Sequence, residues 1–587
     1  MFGYGAQGEE VYRMSERLGK PYKKLALAVA VGLCSTTGIG QAAPAGAGPL
    51  GNPTAGSTYQ EAKDKVDNSG VSLGKVDIEV KEADRPELKL PNALKVQVND
   101  FKITGQDVYP EATLAALIAD QKGKLLSFKD LQANADRITK YLRDRGYLTA
   151  RAYLPVQKIT NGVVEYAVVI GRFDGITVNN HTKIHNSVIN REIRFLKKGD
   201  YIRKQELERA VWLLSDLAGA DAKATLSPGT QQGTVQIVLE LKPHQGKQGL
   251  LTVDNYGNRY TGYNEVNVDY DFLNLAREGD HMAVSVSTTG KKLFNGSATY
   301  TIPVIRDGMT MSVGYSQLGY ELGDIYDPLG AYGTARVGSI GLDYAIQRSQ
   351  RHNLYTGIRY EYSKLKDEYR DLPAYGTYSD KSANAAILSL YGNEQDGKGS
   401  SNWRLDYKFG NVSFDNDRTR EVYAGSGTEG TYSKVRFNVL RRQDINQRLY
   451  ALFSLRGQYA FSNLDSSEHF ALGGISGVRA YPQSEASGDV GYLTRAELRW
   501  LFPVGKTDQM FQVAAYFDHG GSWINRDNHS GSDNHRNLQG AGLGLIWSRH
   551  EDWFVRLDYA WRLGGEKPTA DTSHTNGHFW IQGGVYF

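Results

Sequence analysis

The segment Trp553-Phe554-Val555-Arg556-Leu557-Asp558-Tyr559-Ala560-Trp561-Arg562 alternates strictly. In an extended chain, Trp553, Val555, Leu557, Tyr559 and Trp561 share one side, and Arg556, Asp558 and Arg562 share the other. The same two-residue period recurs upstream. Val435, Phe437 and Val439 oppose Lys434, Arg436 and Asn438; Trp403, Leu405, Tyr407 and Phe409 oppose Arg404, Asp406 and Lys408. Val266, Val268, Tyr270 and Phe272 oppose Glu265, Asn267, Asp269 and Asp271, and Phe579, Ile581, Val585 and Phe587 share a face at the end of the chain. A water-soluble sandwich alternates too. Two features favour a membrane barrel instead: full charges on the polar faces of many successive strands, which suit a hydrated lumen, and Tyr, Trp and Phe near the ends of the apolar faces. About sixteen such segments follow Pro243, and an even number closes the sheet without leaving an unpaired edge in lipid.

Composition agrees with this. A chain of 587 residues is expected to hold about two to four domains. Tyr at 37 and Gly at 65 suit many short strands joined by turns, and a net charge of +3 argues against a nucleic-acid binder. Mean hydropathy is −0.47. The longest apolar run, Leu25 to Leu33, is about half of what a membrane-spanning helix needs. It reads instead as the core of a signal peptide over residues 1–42, with Lys20, Lys23 and Lys24 before it and Gly40-Gln41-Ala42 as a small-x-small cleavage site. Met14 is an alternative start. The single Cys34 falls in this leader, so thiol chemistry and cysteine metal sites drop out.

Residues 43–90 are rich in Ala, Gly, Pro and Ser and then charged, which reads as a linker, with a short helix around 59–67. From 91 the pattern changes. Lys95–Thr104 reads as a strand and Glu111–Ala119 as a helix. Ser127 with Asp130 opens a second helix, whose apolar face is Leu131, Ala135, Ile138 and Leu142. Strands over Ala150–Pro155 and Gly162–Ile170 complete a β-α-α-β-β unit (91–171). The order recurs in 172–243, so the chain holds an internal repeat. An exposed strand edge in such a unit suits capture of an extended polypeptide by strand addition.

No catalytic constellation stands out. Gly392 to Gly399 nearly spells a phosphate loop, but Gly399 occupies the Ser/Thr position and no helix follows. Gly540-Ala541-Gly542-Leu543-Gly544 lies inside a strand pattern, and the twelve His are scattered, with His519, His529, His535, His550, His574 and His578 read in or near barrel loops. No enzyme, cofactor or metal site is expected.

One long connection, 463–488, is neither polar nor simple. Phe470-Ala471-Leu472-Gly473-Gly474-Ile475-Ser476-Gly477-Val478-Arg479-Ala480-Tyr481-Pro482 carries apolar residues that must pack and one charge at its tip. Val478-Arg479-Ala480-Tyr481, with Gly488-Asp489 and Arg495-Ala496-Glu497-Leu498 after it, resembles the Val-Arg-Gly-Tyr loop of the TpsB transporters of two-partner secretion, within the BamA-like superfamily. Asp254, Asn255, Gly257, Thr261 and Gly262 are similar to that family's signature at the first barrel strand, and the repeated units look like its two POTRA domains. Ala480 departs from the family's Gly.

The resemblance implies a membrane all-β fold: a 16-stranded transmembrane β-barrel (244–587) preceded by two α+β POTRA domains. It implies an Arg479–Asp518 pair, with Tyr481 beside it, locking the sixth loop inside the barrel, and an N-terminal plug helix. It implies a monomeric outer-membrane pore with periplasmic POTRA domains. That pore would take an unfolded exoprotein across the lipid bilayer to the cell surface. An assembly factor of the same superfamily, a porin and an outer-membrane enzyme are the alternatives.

Overall fold

Alternation of this kind buries one face when a sheet packs on another or closes on itself, and here it closes. The computed structural model describes residues 53–66, 77–80 and 95–587, apart from 232, 372–375, 529–532, 551 and 572–574. The leader read in 1–42 lies outside the described residues. Sixteen antiparallel strands form a closed barrel in simple sequence order. The first five are Gly249–Asp254, Glu265–Leu273, His281–Thr288, Leu293–Pro303 and Met309–Glu321. The sixth to eleventh are Ala331–Gln347, His352–Tyr369, Thr377–Asp396, Gly399–Phe414, Gly430–Asn446 and Leu449–Ala460. The last five are Val490–Pro503, Gln509–Trp523, His535–Arg549, Trp553–Leu563 and Gly577–Tyr586. Val266, Val268, Leu405, Tyr407, Phe437, Val439, Tyr559 and Trp561 are exposed on the outer face, as a lipid-covered belt requires, while Glu265, Lys434 and Asp558 are buried inside. His519 and His578 lie within strands rather than in loops.

Two α+β units precede the barrel. In the first, helix Phe128–Asp144 has the Ser127/Asp130 capping box and buries Leu131, Ala135, Ile138 and Leu142. It packs on a sheet of Asp100–Thr104, Val163–Val169 and Arg151–Tyr153. Lys95–Thr104 is not one strand. Lys95–Gln97 pairs with Leu125–Ser127, and the chain breaks at Val98 and Asn99, whose N–H groups donate to Lys124 and Gly162 instead. In the second unit, helices Asn186–Glu192 and Lys204–Ser215 cover strands Arg172–Asn180, Ala220–Pro228 and Thr234–Pro243.

The segment 43–90 is more than a linker. Asp77–Val80 adds a strand in parallel to Lys223–Leu226 of the second unit. Helix Ala55–Val66 sits inside the barrel against the fifth, sixth and seventh strands. It begins before the expected 59 because the carboxylate of Asp367 accepts the Ala55 N–H at 2.6 Å. A helix end needs such acceptors; this one comes from a wall strand about three hundred residues away in sequence, and a local cap joins it, the Thr54 hydroxyl accepting from the Ser57 N–H at 3.2 Å.

The second unit docks on the near rim of the barrel. Arg348, in the turn after the sixth strand, grips Asp216 through Nε and Nη2 at 2.8 and 2.6 Å and stacks on Trp212 at 4.2 Å. Arg209 pairs with Asp307 at 2.9 Å, and Glu192 accepts from the Gly308 N–H at 2.7 Å.

Candidate functional site

The connection between the eleventh and twelfth strands folds back into the lumen. Its apolar residues, Leu472, Val478, Ala480, Tyr481 and Ala486, form one buried cluster with Leu493, Tyr516, Leu538 and Ala560 of the wall. That packing delivers Arg479 to a wholly buried position. Its guanidinium donates through Nε and Nη2 to the two oxygens of Asp518, both at 2.8 Å, a bidentate geometry that fixes orientation as well as charge. The Arg479 backbone N–H donates to the same carboxylate at 3.1 Å.

Asp518 is not the sole partner. Nη1 donates to Glu497 at 3.0 Å and lies 3.6 Å from Asp558. The guanidinium plane stacks on Tyr516, with Cζ 3.3 Å from the ring centre. Arg495 approaches Asp518 at 3.5 Å, Arg499 holds Glu497 at 2.5 Å and Arg556 holds Asp558 at 2.5 Å. Four arginines therefore share three carboxylates across the twelfth, thirteenth and fifteenth strands and the loop. Trp580, on the last strand, donates its indole N–H to the Arg479 carbonyl at 2.8 Å.

Tyr481 is buried and donates its hydroxyl to the Glu566 carbonyl at 3.1 Å. Ala480 fits because the wall opposite has no side chain: a Cβ at Gly540 would lie 2.5 Å from the Ala480 methyl. Gly542 and Gly544 continue the stripe and leave room for Tyr516 and Asp558.

The stem of the loop is held differently. Asp465 pairs with Lys381 at 2.5 Å, and Glu468 pairs with Lys408 at 2.7 Å and Lys434 at 2.8 Å. Lys408 also reaches Glu361 at 3.2 Å, which in turn lies 3.6 Å from Lys63 of the lumenal helix.

The first-strand residues form a tight corner. Asp254 accepts from the Tyr256 N–H at 3.0 Å and from the Asn267 amide at 3.0 Å. Asn255 bonds to the last strand. Gly257 and Gly262 lie back to back, with the Gly262 carbonyl where a Gly257 Cβ would stand, and Gly262 has φ +106°. The buried Thr261 donates its N–H to Asn258 at 3.0 Å. Asn258 and Ser484 both donate to Glu61, so the lumenal helix joins this corner to the loop.

Residues 233–546 match the family model for haemolysin secretion/activation proteins ShlB/FhaC/HecB, and residues 96–171 match a ShlB-type POTRA domain. The chain belongs to this secretion family. The haem/haemopexin transporter protein HuxB of Haemophilus influenzae strain 86-028NP is 25% identical over 503 residues, covering 85% of this chain and 87% of that protein. The outer membrane transporter CdiB of Dickeya dadantii is 21% identical, covering 70% and 74%. The structure of CdiB from Escherichia coli superposes with TM-score 0.67 at 19% identity, over 91% of this chain and 98% of that one, which bears on the fold alone. By family, this chain is an outer-membrane transporter that secretes a partner exoprotein, with POTRA domains on the periplasmic side.

In this transporter the structure brings Arg479 and Asp518 together and places Tyr481 apart from that pair, its hydroxyl on the connection after the fifteenth strand. Glu497, Asp558, Tyr516 and Trp580 were not singled out from sequence. Parity held the signal: Glu497 and Asp558 are carboxylates on the charged face of strands that also carry Arg495, Arg499 and Arg556.

Proposed function

We propose that the POTRA pair receives its exoprotein unfolded and threads it through a barrel that is closed at rest by helix Ala55–Val66 and by the Arg479-locked loop. The transporter acts as a single chain, and no nucleotide drives the passage; folding at the cell surface does. The cargo is a large β-rich exoprotein, as in the family resemblance, and its captured segment adds to a strand edge of the POTRA pair. What supports the reading is the way the lumen is filled. Beside the apolar packing, the helix and loop are held in it by polar and ionic contacts, Asp367 to Ala55, Glu61 to Asn258 and Ser484, and Glu361 to Lys63. Contacts of this kind are ones that water or a passing polar backbone can replace group for group, so that no buried polar atom is left unpaired.

The test is deletion of the gene while following a large exoprotein encoded beside it. Loss of that protein from the medium, restored by the intact gene, is expected; undiminished release ends the reading. Deleting residues 53–66 separately is expected to raise the conductance of the barrel in planar bilayers. Unchanged conductance removes the helix as the plug.

A further inference from the structure

A barrel is only as closed as the pairing of its first strand with its last. The first strand here has 6 residues and the last has 10, against 20 in the eighth. Their ladder runs from Leu250↔Tyr586 to Asp254↔Gln582, and Gly249 and Phe587 exchange two more backbone hydrogen bonds at its start. Beyond it the last strand continues through Ile581 and Phe579, while the first turns into the lumen at Tyr256. The overhanging Ile581 N–H and Phe579 carbonyl would face lipid unpaired, which a membrane wall does not tolerate.

Asn255 fills that gap. Its backbone N–H donates to the Ile581 carbonyl at 3.2 Å, as a strand residue would. Its side chain then does the work of a missing neighbour: Oδ1 accepts from the Ile581 N–H at 2.8 Å, and Nδ2 donates to the Phe579 carbonyl at 2.9 Å. It falls on the outward parity of Leu251 and Val253, where an amide is tolerated only with both ends satisfied.

The lumenal side of the same corner is held by the loop. Ile475 forms a buried cluster with Tyr256, just past the first strand, and Trp580 of the last. The two rings meet edge on at 5.8 Å, and Trp580 donates to the Arg479 carbonyl. The loop tip thus straddles the seam.

We propose that Asn255 is the latch that closes the barrel seam, and that the Arg479 loop holds this latch through Ile475, Tyr256 and Trp580. This rests on the resting barrel described above but not on its cargo, so its test does not involve secretion. Outer-membrane barrels keep their fold in cold SDS and unfold at a characteristic temperature seen as a gel shift. In the full chain, Asn255→Ala is expected to lower that temperature, and Asn255→Asp, which sets a carboxylate oxygen against the Phe579 carbonyl in place of the donor, to lower it at least as much. A disulfide between Leu250→Cys and Tyr586→Cys, a pair without mutual backbone hydrogen bonds, is expected to restore the Asn255→Ala variant when oxidised and not when reduced. Trp580→Phe, which removes the indole donor and trims the buried ring, is expected to lower the temperature less in the Asn255→Ala background than alone. Wild-type temperatures for both Asn255 variants, or no rescue by the oxidised pair, overturn the latch. Shifts of Asn255→Ala and Trp580→Phe that simply add overturn its connection to the loop.

Discussion

The loop inside the barrel is held at its tip by an arginine among wall carboxylates and at its stem by carboxylates among wall lysines. Both clusters are buried, yet they are built from opposite signs and different chemistry. At the tip, Arg479 presents a planar fork to Asp518, a third contact to Glu497 and a face to Tyr516. At the stem, Glu468 sits between Lys408 and Lys434, and Asp465 meets Lys381, which also lies 3.4 Å from the centre of the Tyr423 ring. Lysine is a point charge on a flexible stem and arginine a rigid fork. The stem therefore fixes where the loop leaves the wall, and the tip fixes its orientation.

Arg479→Ala has the largest expected effect on this comparison. It leaves Asp518 and Glu497 short of a partner in a buried site, a loss of about 3–5 kcal/mol. Secretion is expected to fall to background while the protein remains inserted in the outer membrane, measured by exoprotein release and by heat-dependent gel shift. Arg479→Lys keeps the charge without the fork and is expected to secrete well below wild type; wild-type secretion by Arg479→Lys would erase the distinction between tip and stem. Next is Glu468→Gln, which leaves Lys408 with Glu361 alone and Lys434 without a carboxylate but keeps hydrogen-bonding capacity, with an expected loss of about 1–3 kcal/mol in thermal unfolding in detergent and a smaller secretion defect than Arg479→Ala.

Gly540→Ala sharpens the tip geometry. Its Cβ would stand 2.5 Å from the Ala480 methyl, and such overpacking costs about 1–3 kcal/mol. Ala480→Gly in the same chain is expected to restore most of it, and a double-mutant cycle in the same unfolding assay measures the coupling. Ala480→Gly alone is the smallest change, about 0.5–1 kcal/mol from added backbone freedom.

Several of these residues were legible before the fold. Strand parity assigned Val435, Phe437, Val439, Tyr559 and Trp561 to one face and Lys434 and Asp558 to the other, because a period of two is a local property of an extended chain. The Ser127–Asp130 cap and the Leu131, Ala135, Ile138, Leu142 stripe are likewise local. The pairing of Asp77–Val80 was not, since the strand Ala220–Pro228 supplies it from far away in sequence; the start of helix Ala55–Val66 was only half so, because a local Thr54–Ser57 cap is joined there by the distant Asp367. The stripe Gly540, Gly542 and Gly544 was visible as a pattern but not as room for a loop.

By itself, the sequence determined that alternating charged and aromatic strands close into a membrane wall, that a repeated α+β unit stands before it, and that one long loop carries a single arginine. Only the tertiary structure decided that this arginine faces two carboxylates closely and a third nearby, that the loop stem is held by buried lysines, and that Asn255 completes the seam. The reason is physical. Periodicity follows from the geometry of neighbouring residues, whereas the partner of a buried charge or an unpaired backbone group is whichever residue the closed barrel brings within about 3 Å.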